Sequence, residues 1–149
     1  MGTKREGTPI EILLVEDNLA DADLMTEALE ECSIPNNLHL ARDGFEAMDF
    51  LYRKGLYTDA PRPDLIMLDL NLPKKDGREV LAEVKSDVNL RRIPIIIITT
   101  SVAEEDILKS YDLHANCYLT KPRDLNQLFD VVQRIEQFWF EAVRLPPRE

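Results

Sequence analysis

The sequence predicts an α/β domain: a five-stranded, doubly wound parallel sheet in the order 2-1-3-4-5, with five helices on its two faces. Three observations predict it. Strand-length apolar runs alternate with helix-period segments five times along the chain. The connections between them are short, which implies parallel strands joined by right-handed crossovers. Two runs, Ile12-Leu13-Leu14-Val15 and Ile95-Ile96-Ile97-Ile98, are apolar at every position, as strands buried on both faces are. Those two belong at the centre. The weaker run at 38–41 belongs at an edge, which suits this strand order.

Each element has its own signal. Residues 1–9 are polar and read as a flexible lead-in, 10–144 as the domain, and 145–149, with two prolines, as a tail. The first strand is the apolar run 10–15, broken only by Glu11. Residues 18–32 carry Leu24, Met25, Ala28, Leu29 and Cys32 at helical spacing, with Asp21 and Asp23 in the first turns where the dipole favours acids. Pro35-Asn36-Asn37 is a turn before the edge strand. Residues 44–54 are helical, with Phe45, Met48, Leu51 and Tyr52 on one side, and 55–63 form a longer loop. The third strand is 65–68, followed by a turn at 73–77 and a short helix at 78–86 that buries Val80, Leu81 and Val84. The fourth strand is 95–98, after Pro94. A helix at 103–113, a short strand at 117–119 and a long helix at 124–143 complete the pattern.

Composition narrows the function. A length of 149 residues fits one domain and leaves hardly any chain for a separate output module. Eighteen basic against 28 acidic residues give a net charge of −10, which speaks against a nucleic-acid surface. No run approaches the ~20 apolar residues of a membrane span, and the N-terminus lacks the apolar core of a secretion signal. These features suit a cytoplasmic protein. Cys32 and Cys117 read as two buried thiols rather than a disulfide. Two cysteines and two histidines without metal-type spacing do not make a zinc site.

The chemistry lies at the carboxyl ends of the strands, where ligands bind in such sheets. Strand one ends in Val15-Glu16-Asp17-Asn18, strand three in Leu68-Asp69-Leu70-Asn71, strand four in Ile98-Thr99-Thr100, and strand five in Leu119-Thr120-Lys121-Pro122. The fold brings Glu16, Asp17, Asp69, Thr99 and Lys121 to one sheet edge. Clustered carboxylates repel and raise one another's pKa values, and a hard dication such as Mg²⁺ relieves this. With Mg²⁺ and the Lys121 ammonium, the three acids reach formal neutrality before an incoming phosphoryl group. Asp69, on the middle strand, can then act as a nucleophile toward phosphorus, with Lys121 and Mg²⁺ stabilising the equatorial oxygens. Taken singly, each residue has a plainer role. Asp17 could cap the first helix, Thr99 could be a β-branched strand residue, and Lys121 a solvated charge. Their convergence at four strand ends is what points to chemistry.

These residues resemble the receiver domain of two-component response regulators over about residues 10–135. The carriers are Leu13-Leu14-Val15-Glu16-Asp17-Asn18, Asp69-Leu70-Asn71-Leu72-Pro73 with Gly77, Thr99, and Lys121-Pro122. The resemblance implies a flavodoxin-like fold and Mg²⁺-dependent phosphorylation of Asp69 by a partner histidine kinase. It makes Glu16 and Asp17 metal-holding residues, with Asp69 and the backbone carbonyl of Asn71 completing the set. Lys121 would contact the phosphoryl group, Thr99 would be the switch hydroxyl and Tyr118 the aromatic switch position. Gly77 and Pro122 would be structural, the Lys121-Pro122 bond being cis in the family. The runs Leu70-Asn71-Leu72-Pro73-Lys74-Lys75-Asp76-Gly77-Arg78-Glu79-Val80-Leu81, Leu113-His114-Ala115-Asn116-Cys117-Tyr118-Leu119-Thr120-Lys121 and Ile135-Glu136-Gln137-Phe138-Trp139-Phe140 also resemble the single-domain regulators paired with cyanobacterial phytochromes, which implies a phytochrome-like kinase and an unknown downstream protein. His114 stands where Gly is usual before strand five, at a cost if the backbone there needs positive φ.

Two other functions compete. An aspartyl-phosphate phosphatase would carry paired aspartates after its first strand and process external substrate repeatedly. A phosphorylation-dead adaptor would lack part of the set Glu16, Asp17, Asp69, Thr99 and Lys121. On the last helix, Leu125, Leu128, Val132, Ile135, Trp139 and Val143 form a core stripe, widened by Val131, Phe138, Ala142, Phe129 and Phe140. That arc spans roughly 200°, against a little over ~100° for packing on one sheet face. Either the helix runs past the sheet over a neighbouring loop, or Phe138, Trp139 and Phe140 form a homodimer interface.

Overall fold

The strands line up in the order β2-β1-β3-β4-β5, all parallel. The computed structural model describes residues 8–148, so part of the lead-in, residues 1–7, and Glu149 lie outside the described residues. In chain order the elements are β1 (Ile10–Val15), α1 (Leu19–Glu30), β2 (Asn36–Ala41), α2 (Gly44–Tyr52), β3 (Leu65–Leu68), α3 (Gly77–Ser86), β4 (Ile95–Thr99), α4 (Glu104–Asp112), β5 (Cys117–Thr120) and α5 (Leu125–Ile135). A 3₁₀ turn at Gly55–Tyr57 and a π-helical segment at Glu136–Ala142 complete the set. The expected α/β class and strand order are what the chain adopts.

The period of two along the strands sorts side chains onto two faces. Leu13, Val15, Ile66, Leu68, Ile95 and Ile97 pack with Met48, Leu51, Val80, Leu81 and Val84 of α2 and α3. Ile12, Leu14, Leu65, Met67, Ile96 and Ile98 pack with Met25, Leu29, Leu128 and Val132 of α1 and α5. Full burial of each such side chain is worth about 1.5–3 kcal/mol. The three central strands are therefore rigid supports for whatever follows their last residues. Cys32 and Cys117 are separate, half-buried thiols.

Several boundaries differ from expectation. β2 starts at Asn36, inside the expected turn, because Ile10 N donates to Pro35 O at 3.0 Å and draws the chain into register early. Asn36 then donates from Nδ2 to the carbonyls of Leu29 and Ile34, closing the turn with its side chain. α1 is capped by Asn18, not Asp17: the Asn18 side chain accepts from Asp21 N, and Asp17 is exposed. The segment read as a tail packs back on the domain. Leu145 is buried beside α1 and α5, while the Arg148 guanidinium bonds Asp64 and the Pro9 carbonyl.

The last helix departs most. Its α-helical part ends at Ile135, and the chain continues in π geometry, with Val143 N donating to Phe138 O at 2.8 Å. The wider turn rotates later residues away from the 3.6-residue phase. Phe140, expected in an intermolecular interface, is instead buried in the core at 9% exposure, whereas Phe138 is 56% exposed. Leu125, expected on the core stripe, is largely exposed because it is the first residue of α5.

Candidate functional site

Backbone bonds tie the carboxyl ends of β1, β2 and β3 together, and those of β4 and β5, before any side chain is considered. Glu16 N donates to Ala41 O at 2.9 Å, Asp69 N to Val15 O at 3.1 Å, and Lys121 N to Thr99 O at 2.6 Å. These bonds hold Glu16, Asp69, Thr99 and Lys121 on one edge, and all four are buried.

Lys121 is the hub. Its Nζ donates to Glu16 Oε1 at 2.7 Å, Asp21 Oδ2 at 2.9 Å and Asp69 Oδ2 at 3.0 Å. Its three N–H groups thus meet three carboxylates. Burial alone would pull the Lys121 pKa down, but the bonds to Glu16 and Asp21 hold it well above the usual lysine range. Burial pushes the Glu16 carboxyl up, the Asp69 charge adds to that, and the bond from Lys121 only partly offsets it.

Asp21 is the member that sequence reasoning missed. Its place in the first turn of α1 suggests a dipole role. In a capping box an acid at this position would reach back to the cap residue's N–H. Here Glu16 Oε2 accepts from Asn18 N at 3.1 Å, and the Asp21 side chain turns to Lys121 instead. The available signal was its place in the first turn of α1, the helix that starts directly after the carboxyl end of β1.

The Asp69 turn is shaped by Gly77. A Cβ on Gly77 would stand 2.2 Å from the Asp69 carbonyl oxygen and 2.6 Å from Leu70 Cα. Only glycine lets α3 start this close beneath the loop, and its N–H donates to Leu70 O at 2.9 Å. Asp69 Oδ1 accepts from Asn71 N at 3.0 Å. Thr99 Oγ1 meets Asn71 Nδ2 at 3.4 Å and does not bond Asp69. Tyr118 donates its hydroxyl proton to the Ser101 carbonyl at 3.0 Å, and burial raises its pKa. The Lys121-Pro122 bond, expected to be cis, is trans, since no cis peptide occurs among the described residues. Trans is the lower-energy form of an X–Pro bond by about 0.5–1 kcal/mol, and Lys121 reaches its three partners with it.

His114 does adopt positive φ, 72°. It follows α4 as the left-handed residue of a Schellman motif, with His114 N donating to Tyr111 O and Ala115 N to Ser110 O, each at 2.9 Å.

Among the described residues, no three acidic, histidine or cysteine side chains form a ready-made metal cage, and the carboxylates of Glu16, Asp21 and Asp69 converge on the Lys121 ammonium instead. That donor set still fits Mg²⁺, which keeps several waters and takes one or two carboxylates along with phosphate oxygens. Charge supports the fit: Glu16, Asp21 and Asp69 face one ammonium, and Asp17 lies exposed at the rim.

A family model for the response regulator receiver domain matches residues 12–133. The chain belongs to that family. Response regulator Rcp1 of Synechocystis sp. is 56% identical over 138 residues, covering 93% of this chain and 94% of Rcp1. The crystal structure of the phosphorylated cyanobacterial phytochrome response regulator RcpA matches with a TM-score of 0.91 at 55% identity, over 93% of this chain and 99% of that one. The Mn²⁺-bound form of Rcp1 matches with a TM-score of 0.90 at 56% identity, over the same shares. The receiver fold and the likeness to phytochrome-associated regulators are thus common ground with these proteins.

Proposed function

We propose that this receiver takes a phosphoryl group on Asp69 from a phosphohistidine of a partner histidine kinase of the phytochrome type, and signals through protein contacts. The observation that carries the reading is the Asp69 carboxylate, buried at the end of the central strand β3 and bonded to Lys121, with Glu16 on the same ammonium.

In the transfer, an Asp69 carboxylate oxygen forms a bond to phosphorus as the phosphorus–nitrogen bond to the kinase imidazole breaks. The imidazole nitrogen keeps the electron pair, and Asp69 becomes an acyl phosphate. Lys121 lies where its ammonium can turn to an equatorial phosphoryl oxygen. Thr99, at the end of β4, supplies a hydroxyl for another of those oxygens, and Tyr118 follows the vacated space. Glu16, Asp17, Asp69 and the Asn71 carbonyl would hold Mg²⁺. When bound, that ion neutralises charge that develops on the transferring group. The self-association expected of the last helix is proposed for Phe138 and the half-buried Trp139, whose rings meet edge to face at 5.6 Å.

Intact-mass measurement after incubation with acetyl phosphate tests the reading. One phosphate adduct is expected with Mg²⁺, none after chelation, and none on Asp69→Asn. A normal adduct on that variant would sink the assignment. The adduct should also decay without repeated turnover of donor, which separates a receiver from a phosphatase.

A further inference from the structure

Arg78 lies in the first turn of α3, directly after Gly77. Its guanidinium holds Asp106 bidentately, Nε to Oδ1 at 3.0 Å and Nη2 to Oδ2 at 2.9 Å, and Nη1 bonds Asp76 at 3.1 Å. Asp106 lies in the first turn of α4 and also accepts from Ser101 Oγ at 2.6 Å. Ser101 lies two residues beyond Thr99, and its carbonyl is the oxygen that receives the Tyr118 hydroxyl. One network therefore links α3, the β4–α4 connection and β5, and it bonds neither Asp69 nor Lys121.

The network matters because α4 has little else to hold it. Ser110 is its only buried residue, and Leu108 and Tyr111 face outward. Its N-cap residue Ala103 offers no side-chain cap. The other helices each bury apolar side chains and, α1, α2, α3 and α5 alike, start at a side chain that caps them. The start of α4 is thus set by an ion pair rather than by packing. In this arrangement the Thr99 hydroxyl meets Asn71 rather than Asp69, so it has to move to meet a phosphoryl group.

We infer that Arg78 is a positioning residue for phosphorylation: through Asp106 and Ser101 it holds the β4–α4 connection in the resting arrangement and so slows phosphoryl uptake at Asp69. The inference rests on the reading of Asp69 as phosphoacceptor. A ligand that favours a second arrangement gains from anything that weakens the first, by the differential free energy between the two. The pair is partly exposed, with 28% and 19% of the two side chains accessible, so its loss should shift the balance modestly.

The test is the rate of adduct formation from acetyl phosphate with saturating Mg²⁺, followed by intact mass. Arg78→Gln and Asp106→Asn are each expected to speed uptake about three- to ten-fold. The double variant should be no faster than either single one, because both remove the same link. Arg78→Lys, which keeps one bond to Asp106, should fall between. Each variant is first shown to melt cooperatively, and Asp106→Asn, which keeps the side-chain shape, guards against loss of fold. Unchanged or slower uptake in the folded variants overturns the inference, as does a double variant whose rate is the product of the two single effects. A purely structural role would lower the melting temperature without changing the rate. Should the parent protein take up no phosphate at all, the reading of Asp69 fails instead.

Discussion

Phe138 and Phe140 lie two residues apart and provide the sharpest test of the π-helical segment. An α-helix continued past Ile135 would put the two on opposite flanks of one apolar arc of roughly 200°, where either could face a partner. The π turn instead buries Phe140 to 9% exposure and leaves Phe138 at 56%. Truncating a buried Phe to Ala costs about 3–5 kcal/mol. Phe140 lies near the end of the core, where neighbours can collapse into the gap, so the lower figure applies. For a domain of this size that corresponds to a fall of about 6–12 °C in melting temperature. Phe138→Ala should change stability by less than about 0.5 kcal/mol. Thermal melts followed by circular dichroism, at two protein concentrations tenfold apart, separate core loss from dissociation, since only dissociation makes the melt depend on concentration. Light scattering on the same samples reports mass. If Phe140→Ala melts with the parent while its mass halves, the side chain lies in an interface and the phase given to the last helix is wrong.

Two further perturbations follow from single residues. Burial raises the Glu136 pKa, the Cys32 thiol only partly offsetting it, and Oε1 has no hydrogen-bond partner. A carboxyl whose folded pKa is raised opposes folding once pH climbs above its unfolded value, and this cost is absent in acid. Glu136→Gln should therefore raise the melting temperature at pH 8 by more than at pH 4, on the scale of about 1 kcal/mol; equal shifts at both pH values would contradict the assignment. His114→Gly relieves left-handed strain of about 1 kcal/mol, partly offset by the freer unfolded chain, for a net gain of about 0.5 kcal/mol. A lower melting temperature for that variant would mean that the exposed imidazole makes a contact worth more than the strain.

The sheet was legible because its signals are local. Ile95–Thr99 and Leu65–Leu68 are apolar at nearly every position, and only a strand buried on both faces explains runs that short. The strand-end residues Glu16, Asp69, Thr99 and Lys121 were legible for the same reason: once the strands are parallel, their ends must meet. What stayed hidden depends on choices between competing partners. The Asp21 carboxylate could serve the helix dipole or a distant ammonium, and nothing within α1 says that Glu16 has already taken the Asn18 N–H. Arg78 and Asp106 are 28 residues apart on different helices, and helical spacing cannot pair them. The π segment is a change of period at Glu136, where Phe138, Trp139 and Phe140 suit either register.

The Lys121 cluster also constrains how the site must respond to phosphorylation. An ammonium has three N–H groups, and all three are used, on Glu16, Asp21 and Asp69. A phosphoryl group on Asp69 brings new acceptor oxygens and more negative charge into the same space; the N–H now on Asp69 Oδ2 can pass to one of them, and a second bond from Lys121 to the group requires the release of another carboxylate. Glu16 is the more buried of the two other partners, and a buried carboxylate that loses its cation suffers the larger desolvation cost. Asp21 is nearer solvent, with 16% of its side chain accessible, and can exchange the ammonium for water at less cost. Release of Asp21 is therefore the cheaper path, and Asp21→Asn should leave phosphoryl uptake nearly intact where Glu16→Gln impairs it. Equal impairment in the two variants, measured as adduct formation with Mg²⁺, would show that Lys121 does not let go of Asp21 in preference to Glu16.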